Sequence, residues 1–278
     1  MLYEIILNKT KLLTTGFFLA LLVGVSLGLL GSGGSILTVP IMVYILGIDP
    51  VLATGYSLFV VGLTSFFGGI RNFFNQTIKF KAILLFGIPS VITVYLTRAF
   101  LVPVIPEIIL KAGAFQLTKS VFLMVLFAVV MVAASVSMIR PCEDCEKNGD
   151  NPKTGYDYIM MLLVGSLVGA ITGLVGAGGG FLIIPALVFF AKMPMRSAIG
   201  TSLFIISINS AIGFIGFLNS EHSAIDWNLV IKFTAISVVG IFIGIFFSRK
   251  ISGEKLKTSF GWFVLLMGFY ILAKELIL

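Results

Sequence analysis

The sequence predicts an all-α polytopic membrane protein with two inverted repeats, each containing a glycine-rich broken helix or re-entrant hairpin. Composition is the first reason: 58% of the 278 residues are hydrophobic and only 11% are charged, whereas soluble domains carry about 25% charged residues. The mean hydropathy of +1.12 agrees with this assignment. The second reason is a series of apolar runs of membrane-spanning length, and the third is a glycine motif that occurs twice.

Apolar runs fill both halves of the chain and leave one polar segment between them. A helix that crosses the hydrocarbon core needs about 20 apolar residues, and shorter runs indicate partial or re-entrant segments. The segment between the halves is rich in charged residues, Asn, Gly and Pro, as a solvated linker is. We therefore predict a first transmembrane repeat at 1–139, a polar cytoplasmic linker at 140–157 and a second transmembrane repeat at 158–278. The apolar runs are 12–30, 36–46, 51–70, 82–96, 121–139, 158–175, 181–191, 198–218, 229–247 and 260–273.

One motif occurs in both halves. Gly31 to Pro40 reads Gly-Ser-Gly-Gly-Ser-Ile-Leu-Thr-Val-Pro, and it aligns without gaps on Gly176 to Pro185, which reads Gly-Ala-Gly-Gly-Gly-Phe-Leu-Ile-Ile-Pro. The offset of 145 residues between Gly31 and Gly176 also aligns further small residues of the two halves. Internal repeats of this kind are typical of transporters, whose substrate sites lie at the repeat interface near the membrane midplane.

The basic residues favour opposed repeats, because cytoplasmic loops carry an excess of Lys and Arg. An odd number of crossings per repeat divides the 19 basic residues 12 to 7 between the two faces, whereas an even number divides them 10 to 9. The odd number places the linker in the cytoplasm and both termini outside. The short runs either cross, giving five crossings per repeat, or fold back as hairpins, giving three crossings and a hairpin. The larger group is Arg71, Lys79, Lys81, Arg140, Lys147, Lys153, Lys192, Arg196, Arg249, Lys250, Lys255 and Lys257, and the smaller is Lys9, Lys11, Arg98, Lys111, Lys119, Lys232 and Lys274.

Both glycine motifs interrupt an apolar helix and precede a short one. Glycine runs adopt backbone conformations closed to other residues, and in a membrane such a break is tolerated only where it is buried in protein or lines a cavity. The following short helix would direct free N–H groups and its positive dipole end into that cavity, which suits an anion. Ser32, Ser35 and Thr38 add hydroxyl groups in the first repeat only. The alternative is that the glycines merely let helices cross closely.

Polar residues on the next long run extend the predicted site. Ser57 and Ser202 occupy equivalent positions in the two repeats. Asn209 lies about two turns beyond Ser202, and an intramembrane amide there either lines the site or ties helices together. We predict no catalytic residue and no metal ligand. The predicted substrate-binding residues are Gly31, Ser32, Gly33, Gly34, Ser35, Ser57, Gly176, Gly178, Gly179, Gly180, Thr201, Ser202 and Asn209.

The remaining polar residues argue against several other functions. No Asp or Glu falls inside an apolar run, and the single His222 lies in a polar loop, so proton relays, hydrolysis and metal catalysis have almost no residues to use. The net charge of +7 is scattered rather than clustered, which argues against a nucleic-acid partner. Cys142 and Cys145 form a Cys-x-x-Cys pair that suits a redox dithiol or half a zinc site, although neighbouring acidic residues disfavour a reactive thiolate.

The duplicated motif, Gly-x-Gly-Gly-(Gly/Ser)-(Phe/Ile)-Leu-x-x-Pro, is followed in each half by Ala-x-Gly-(Thr/Tyr)-Ser-Leu-Phe. This combination resembles the TauE/SafE family of sulfite and organosulfonate exporters, and the second copy is closer to the family pattern. The first copy departs from it at Ser35 and Tyr56.

The resemblance implies a transporter, not an enzyme, that needs no cofactor and exports a small sulfur-containing anion across a bacterial-type inner membrane. Alternating access at a midplane site between the repeats is the expected mechanism. The implied partners are the small anion and the lipid bilayer, and a homo-oligomer is compatible with this picture. Two alternatives remain: a membrane thiol oxidoreductase that uses Cys142 and Cys145, and a cation-coupled transporter of another small solute.

Overall fold

The fold is that of a computed structural model of the chain. It describes residues 2–31, 33–74, 78–112, 115–139, 155–176, 178–191, 193–220, 225–248 and 253–277. Ser32, Cys142 and Cys145, all named above, lie outside the described residues, as does most of the polar linker.

The described residues form five helices in each half of the chain and one short hairpin. The hairpin pairs β1 (Ile108–Ala112) antiparallel with β2 (Phe115–Thr118), and it was not predicted from the sequence. The helices of the first half are α1 (Leu2–Leu30), α2 (Ser35–Ile45), α3 (Pro50–Phe74), α4 (Phe80–Val104) and α5 (Lys119–Ile139), and those of the second are α6 (Gly155–Val175), α7 (Gly180–Phe189), α8 (Met195–Ser220), α9 (Trp227–Ser248) and α10 (Gly253–Ile277).

Six of these helices, α3, α4, α5, α6, α8 and α9, contain segments long and apolar enough to cross a membrane. Large apolar side chains cover the outer surface of the bundle, and Leu163 and Phe246 are more than half exposed there. In water such a surface would aggregate, whereas lipid matches it. The chain is therefore a multi-pass membrane protein, and the predicted all-α membrane fold is confirmed apart from the small hairpin.

The two short helices reach only part of the way through a bilayer. With a rise of about 1.5 Å per residue, α2 and α7 are about 15 Å long, against a hydrocarbon core of about 30 Å. The start of α2 lies against α1, where a Cβ at Gly34 would collide with the carbonyl of Val23. Leu46, just after α2, lies beside Gly16. The second helix of the chain therefore runs back along the first.

Helix α4 is longer than the sequence predicted. The apolar run ends at Leu96, but the helix continues to Val104 through a π-helical turn at Thr97–Leu101. Arg98, which the sequence analysis counted among the charges of one membrane face, therefore lies inside a spanning helix and is fully buried. Without Arg98 the basic residues divide 12 to 6 for an odd number of crossings and 10 to 8 for an even number, so the preference for an odd number is unchanged.

The two most buried spanning helices, α3 and α8, cross each other in opposite directions. Gly55 near the start of α3 packs against Phe217 near the end of α8, and Gly69 near the end of α3 lies against Phe204 near the start of α8. These helices occupy equivalent places in the two halves. An antiparallel relation between equivalent helices is what opposed repeats require.

Two other helix pairs pack backbone against backbone. A Cβ at Gly24 on α1 would collide with the carbonyl of Ser237 on α9, and a Cβ at Gly169 on α6 would collide with the carbonyl of Ser90 on α4. Gly24 and Gly169 are equivalent in the 145-residue offset. At these two positions the glycines serve close helix crossing.

Candidate functional site

The first glycine of each motif ends the preceding helix in the same way. Gly31 has a φ of 74° and Gly176 a φ of 73°, a left-handed conformation that other residues rarely adopt. The N–H of Gly31 donates to the carbonyl of Leu27 at 2.7 Å, and that of Gly176 donates to the carbonyl of Thr172 at 2.8 Å. Both predicted helix breaks are therefore present, and both are glycine caps of a long helix.

Each glycine break packs against a helix of the opposite repeat. Gly31, in the first half, packs against Ile199 near the start of α8. Gly176, in the second half, packs against Thr54 near the start of α3. Since Thr54 and Ile199 are also equivalent in the 145-residue offset, each break contacts the equivalent point of the opposite repeat.

Beyond these first glycines the two breaks differ. In the second repeat Gly178 and Gly179 also adopt left-handed conformations, with φ of 65° and 67°. In the first repeat Gly34 is right-handed, with a φ of −68°, and it is held against α1. Gly176, Gly178 and Gly179 therefore give the second break a left-handed backbone that costs other residues about 1–2 kcal/mol each. Gly34 instead makes room for a neighbouring helix.

One buried hydroxyl group lies beside the second break, and two more lie on the face of α3 that approaches it. The hydroxyl oxygens of Ser57, Ser65 and Ser210 are fully buried and find no hydrogen-bond partner among the described residues. Ser210 Oγ lies 2.7 Å from the position that a Cβ on Gly178 would take. Val61, which lies one turn from both Ser57 and Ser65 on the same face of α3, approaches that position to 2.9 Å. The face of α3 that carries the two serines therefore meets Gly178.

Asn209 both joins helices and leaves one polar atom open. Its Nδ2 donates to Ser90 Oγ on α4 at 2.7 Å. Its Oδ1 is buried and has no hydrogen-bond partner within the described part of the chain. Its amide nitrogen therefore ties α8 to α4, which is one of the two interpretations left open by the sequence; that Asn209 lines the site stays a prediction.

Other predicted residues have structural partners. Thr201 Oγ1 accepts a hydrogen bond from the backbone N–H of Lys79 at 3.1 Å, and Tyr56, its equivalent, accepts one from the N–H of Asp226 at 2.8 Å. Each bond ties the start of a long helix in one half of the chain to the residue shortly before a long helix in the other half. The hydroxyl of Ser202 lies 2.9 Å from the carbonyl of Ile199 in its own helix.

The structure brings together only part of the predicted set. The glycines of the two breaks and Ser35 are buried at the starts of the short helices. Ser65 and Ser210, which were not in the predicted set, carry open hydroxyl groups as Ser57 does. Their signal in the sequence was their equivalence in the 145-residue offset.

A buried cation lies close to the second break and was also missed. The guanidinium of Arg98 donates to Thr54 Oγ1 at 2.8 Å and approaches the carbonyls of Val51 and Gly173, each at 3.4 Å. It also lies 5.1 Å from the centre of the Phe217 ring. Helices α3, α4, α6 and α8 therefore meet at this guanidinium.

Metal chemistry finds no support in the described ranges, since these contain no group of three His, Cys, Asp or Glu side chains that could hold an ion. The proposal of a thiol oxidoreductase concerns Cys142 and Cys145, which lie outside those ranges. It stays a prediction of the sequence.

Comparison with known proteins identifies relatives along almost the whole chain. A family model described as sulfite exporter TauE/SafE matches residues 16–271. A probable membrane transporter protein of Xylella fastidiosa is 28% identical over 90% of this chain and 91% of its own, and one of Methanocaldococcus jannaschii is 29% identical over 97% of both chains. The probable membrane transporter protein YunE of Bacillus subtilis is 26% identical over 84% of this chain and 87% of its own. No solved structure matches the chain.

Proposed function

Since the chain belongs to the TauE/SafE family of sulfite exporters and is a membrane transporter, we propose that it exports a small sulfur-containing anion, sulfite or an organosulfonate, across the inner membrane. The substrate binds at the second glycine break, where α3 and α8 cross.

The open hydroxyl groups at this crossing carry the proposal. A buried polar group without a partner costs about 1–3 kcal/mol, so Ser57, Ser65 and Ser210 are expected to have a partner in the working protein. An oxyanion has oxygen atoms that accept hydrogen bonds from hydroxyl groups.

Helix α7 supports the same assignment. It begins at Gly180, directly after the left-handed Gly179. The carbonyl of Gly179 accepts from the N–H groups of Leu182 and Ile183, which leaves those of Gly180 and Phe181 as the first-turn donors without a partner within the helix. These groups and the positive end of the helix dipole favour a negative charge. The hydroxyl groups and the start of α7 thus both favour a bound anion.

The arrangement of the two halves supports alternating access as the mechanism. Helices α3 and α8 cross antiparallel, and Gly31 and Gly176 each pack against the opposite repeat. Both observations support a pair of inverted repeats with a pseudo-twofold axis in the membrane plane. In such a pair, rocking one repeat against the other opens the central site to each face in turn.

The membrane potential favours movement of the anion out of the cell. An inside-negative potential drives an anion outward by about 2.3 kcal/mol per charge per 100 mV. A doubly charged species gains about twice that. Export of sulfite therefore needs no coupling ion.

The test is sulfite flux in proteoliposomes that contain the purified full-length protein and hold a set potential. We expect flux that increases with the driving potential, and Ser210→Ala is expected to reduce it. Ser135→Ala is the matched control, because Ser135 is equally buried but its hydroxyl already donates to the carbonyl of Val132. Flux of neither sulfite nor a sulfonate in the wild type, or flux indifferent to potential, would overturn the proposed electrogenic export.

A cation-coupled mechanism is the second candidate, and Asn209 is the observation that favours it. Its open Oδ1 is an acceptor, which suits a sodium ion better than an anion. If sodium is coupled to transport, sulfite flux at a fixed potential depends on the sodium gradient, and Asn209→Leu abolishes that dependence. Equal flux with sodium and with choline eliminates this candidate.

A further inference from the structure

A single charge is buried within the described part of the membrane bundle. Arg98 is fully buried, and no other charged side chain described in the chain is buried. A charge inside a membrane protein is costly, and such residues usually face an ion or substrate pathway. Its position therefore calls for an explanation beyond packing.

The contacts of Arg98 connect it to the second glycine break. Its guanidinium donates to Thr54 Oγ1 at 2.8 Å. The Cα and carbonyl oxygen of Thr54 each lie 2.7 Å from the position that a Cβ on Gly176 would take. Thr54 thus contacts both the guanidinium of Arg98 and Gly176, the first glycine of the break. The carbonyl of Gly173, one turn before the break, accepts from the same guanidinium at 3.4 Å.

The second repeat has no equivalent of this cation. Gly173 on α6 packs against Thr97 on α4, and its counterpart Gly28 on α1 packs against Gly244 on α9. Thr97 and Gly244 therefore occupy equivalent places, and the residue that follows is Arg98 in one repeat and Ile245 in the other. The buried charge is an addition to one repeat, so the close helix crossing forms without it.

We propose that Arg98 is the residue that selects for anions at the second glycine break. This proposal rests on the proposed function and assigns its charge selectivity to one side chain. A fixed positive charge in a low-dielectric setting acts over a longer distance than hydroxyl or peptide dipoles. Thr54 and the carbonyl of Gly173 hold the guanidinium beside the break, and Phe217 covers it with an aromatic ring. A doubly charged anion gains more from Arg98 than a singly charged one.

The experiment compares Arg98→Gln with Arg98→Lys and with Lys232→Gln. Lys232 is exposed on α9, so its variant removes the same charge away from the break. Each full-length variant is purified, checked by gel filtration and reconstituted. Half-saturation concentrations are measured for sulfite at a pH where it is doubly charged and for a singly charged sulfonate. Thermal stabilisation by each anion is measured in detergent.

We expect Arg98→Gln to raise the half-saturation concentration of sulfite at least tenfold, and that of the sulfonate by a smaller factor. Arg98→Lys should keep the preference for the doubly charged anion, and Lys232→Gln should match the wild type. A folded Arg98→Gln protein with unchanged half-saturation concentrations and unchanged stabilisation by sulfite would show that Arg98 only supports the fold. Equal losses for both anions would likewise refute charge selection.

If neither Arg98 variant folds, Thr54→Val decides. It removes the 2.8 Å hydrogen bond that positions the guanidinium and keeps the shape of the side chain. We expect a lower ratio of affinity for sulfite over the sulfonate, and an unchanged ratio would overturn the proposal. A wild-type protein that neither transports nor is stabilised by any of these anions would refute the proposed function itself, and the role of Arg98 with it.

Discussion

Replacing Gly178 with alanine is expected to block sulfite transport while leaving the fold intact. Gly178 has a φ of 65°, where alanine costs about 1–2 kcal/mol, and the loss of unfolded-chain freedom returns about 0.4–1 kcal/mol. The backbone term is therefore about 1 kcal/mol, which a folded protein tolerates. The new methyl group would lie 2.7 Å from Ser210 Oγ and 2.9 Å from Val61 Cγ1, inside the contact distance of about 3.5–4.0 Å.

Gly47 provides the matched control. It has a φ of 67°, close to that of Gly178, but no atom lies within 4 Å of the position that its Cβ would take. Gly47→Ala therefore carries the same backbone cost without a contact. The difference between the two variants isolates the effect of a methyl group beside the open hydroxyl groups.

The assay is the initial rate of sulfite flux in proteoliposomes, together with the melting temperature of each variant in detergent. Gly47→Ala should transport at the wild-type rate, and Gly178→Ala at least tenfold more slowly. The double variant with Ser210→Ala should melt higher than the two single effects predict, because removing Oγ relieves the closest contact. Transport by Gly178→Ala at the rate of Gly47→Ala would refute binding at this break.

Three further outcomes follow from the contacts. Tyr56→Phe and Thr201→Val each remove the acceptor for a backbone N–H, so each should lower the free energy of unfolding by about 1 kcal/mol, as a chemical denaturation series measures. Neither should change the half-saturation concentration of sulfite in flux assays. Replacing Cys142 and Cys145 with serine should leave sulfite flux unchanged, and loss of flux would favour the thiol oxidoreductase. Gly28→Leu should prevent folding, seen as loss of the monodisperse gel-filtration peak, because its side chain would collide with a carbonyl of α9.

The sequence was sufficient to predict the membrane fold and the two helix breaks. Both depend on local properties: hydropathy over a helix length, and the conformational freedom of glycine. Gly31 and Gly176 end their helices as predicted because no other residue adopts their left-handed conformation at low cost. The start of α3 is local in the same sense: Asp49 precedes Pro50, and its carboxylate accepts from the N–H of Val51 at 2.8 Å.

The open hydroxyl groups required tertiary structure. A Ser or Thr in a helix usually donates to the preceding turn, and Thr64 does so, with Oγ1 2.6 Å from the carbonyl of Val60. Sequence alone does not distinguish Thr64 from its neighbour Ser65, whose hydroxyl has no partner in the described structure. Arg98 was missed for another reason: hydropathy ends the apolar run at Leu96, but neighbouring helices bury the charge and let α4 continue.

The two repeats share a scaffold but not a chemistry. Both breaks cap a long helix with a left-handed glycine. In the first break, however, Gly34 is right-handed and packs against α1, whereas Gly178 and Gly179 in the second break are left-handed. The buried cation also adjoins only the second break. In the proposed mechanism, where one repeat rocks against the other, the inward-facing and outward-facing states are consequently not related by an exact twofold rotation. A passive transporter cannot use this difference to set its net direction, since the electrochemical gradient does that. In the proposed mechanism, unequal repeats instead let one fixed charge select the substrate while the scaffold shared by both repeats supplies the motion.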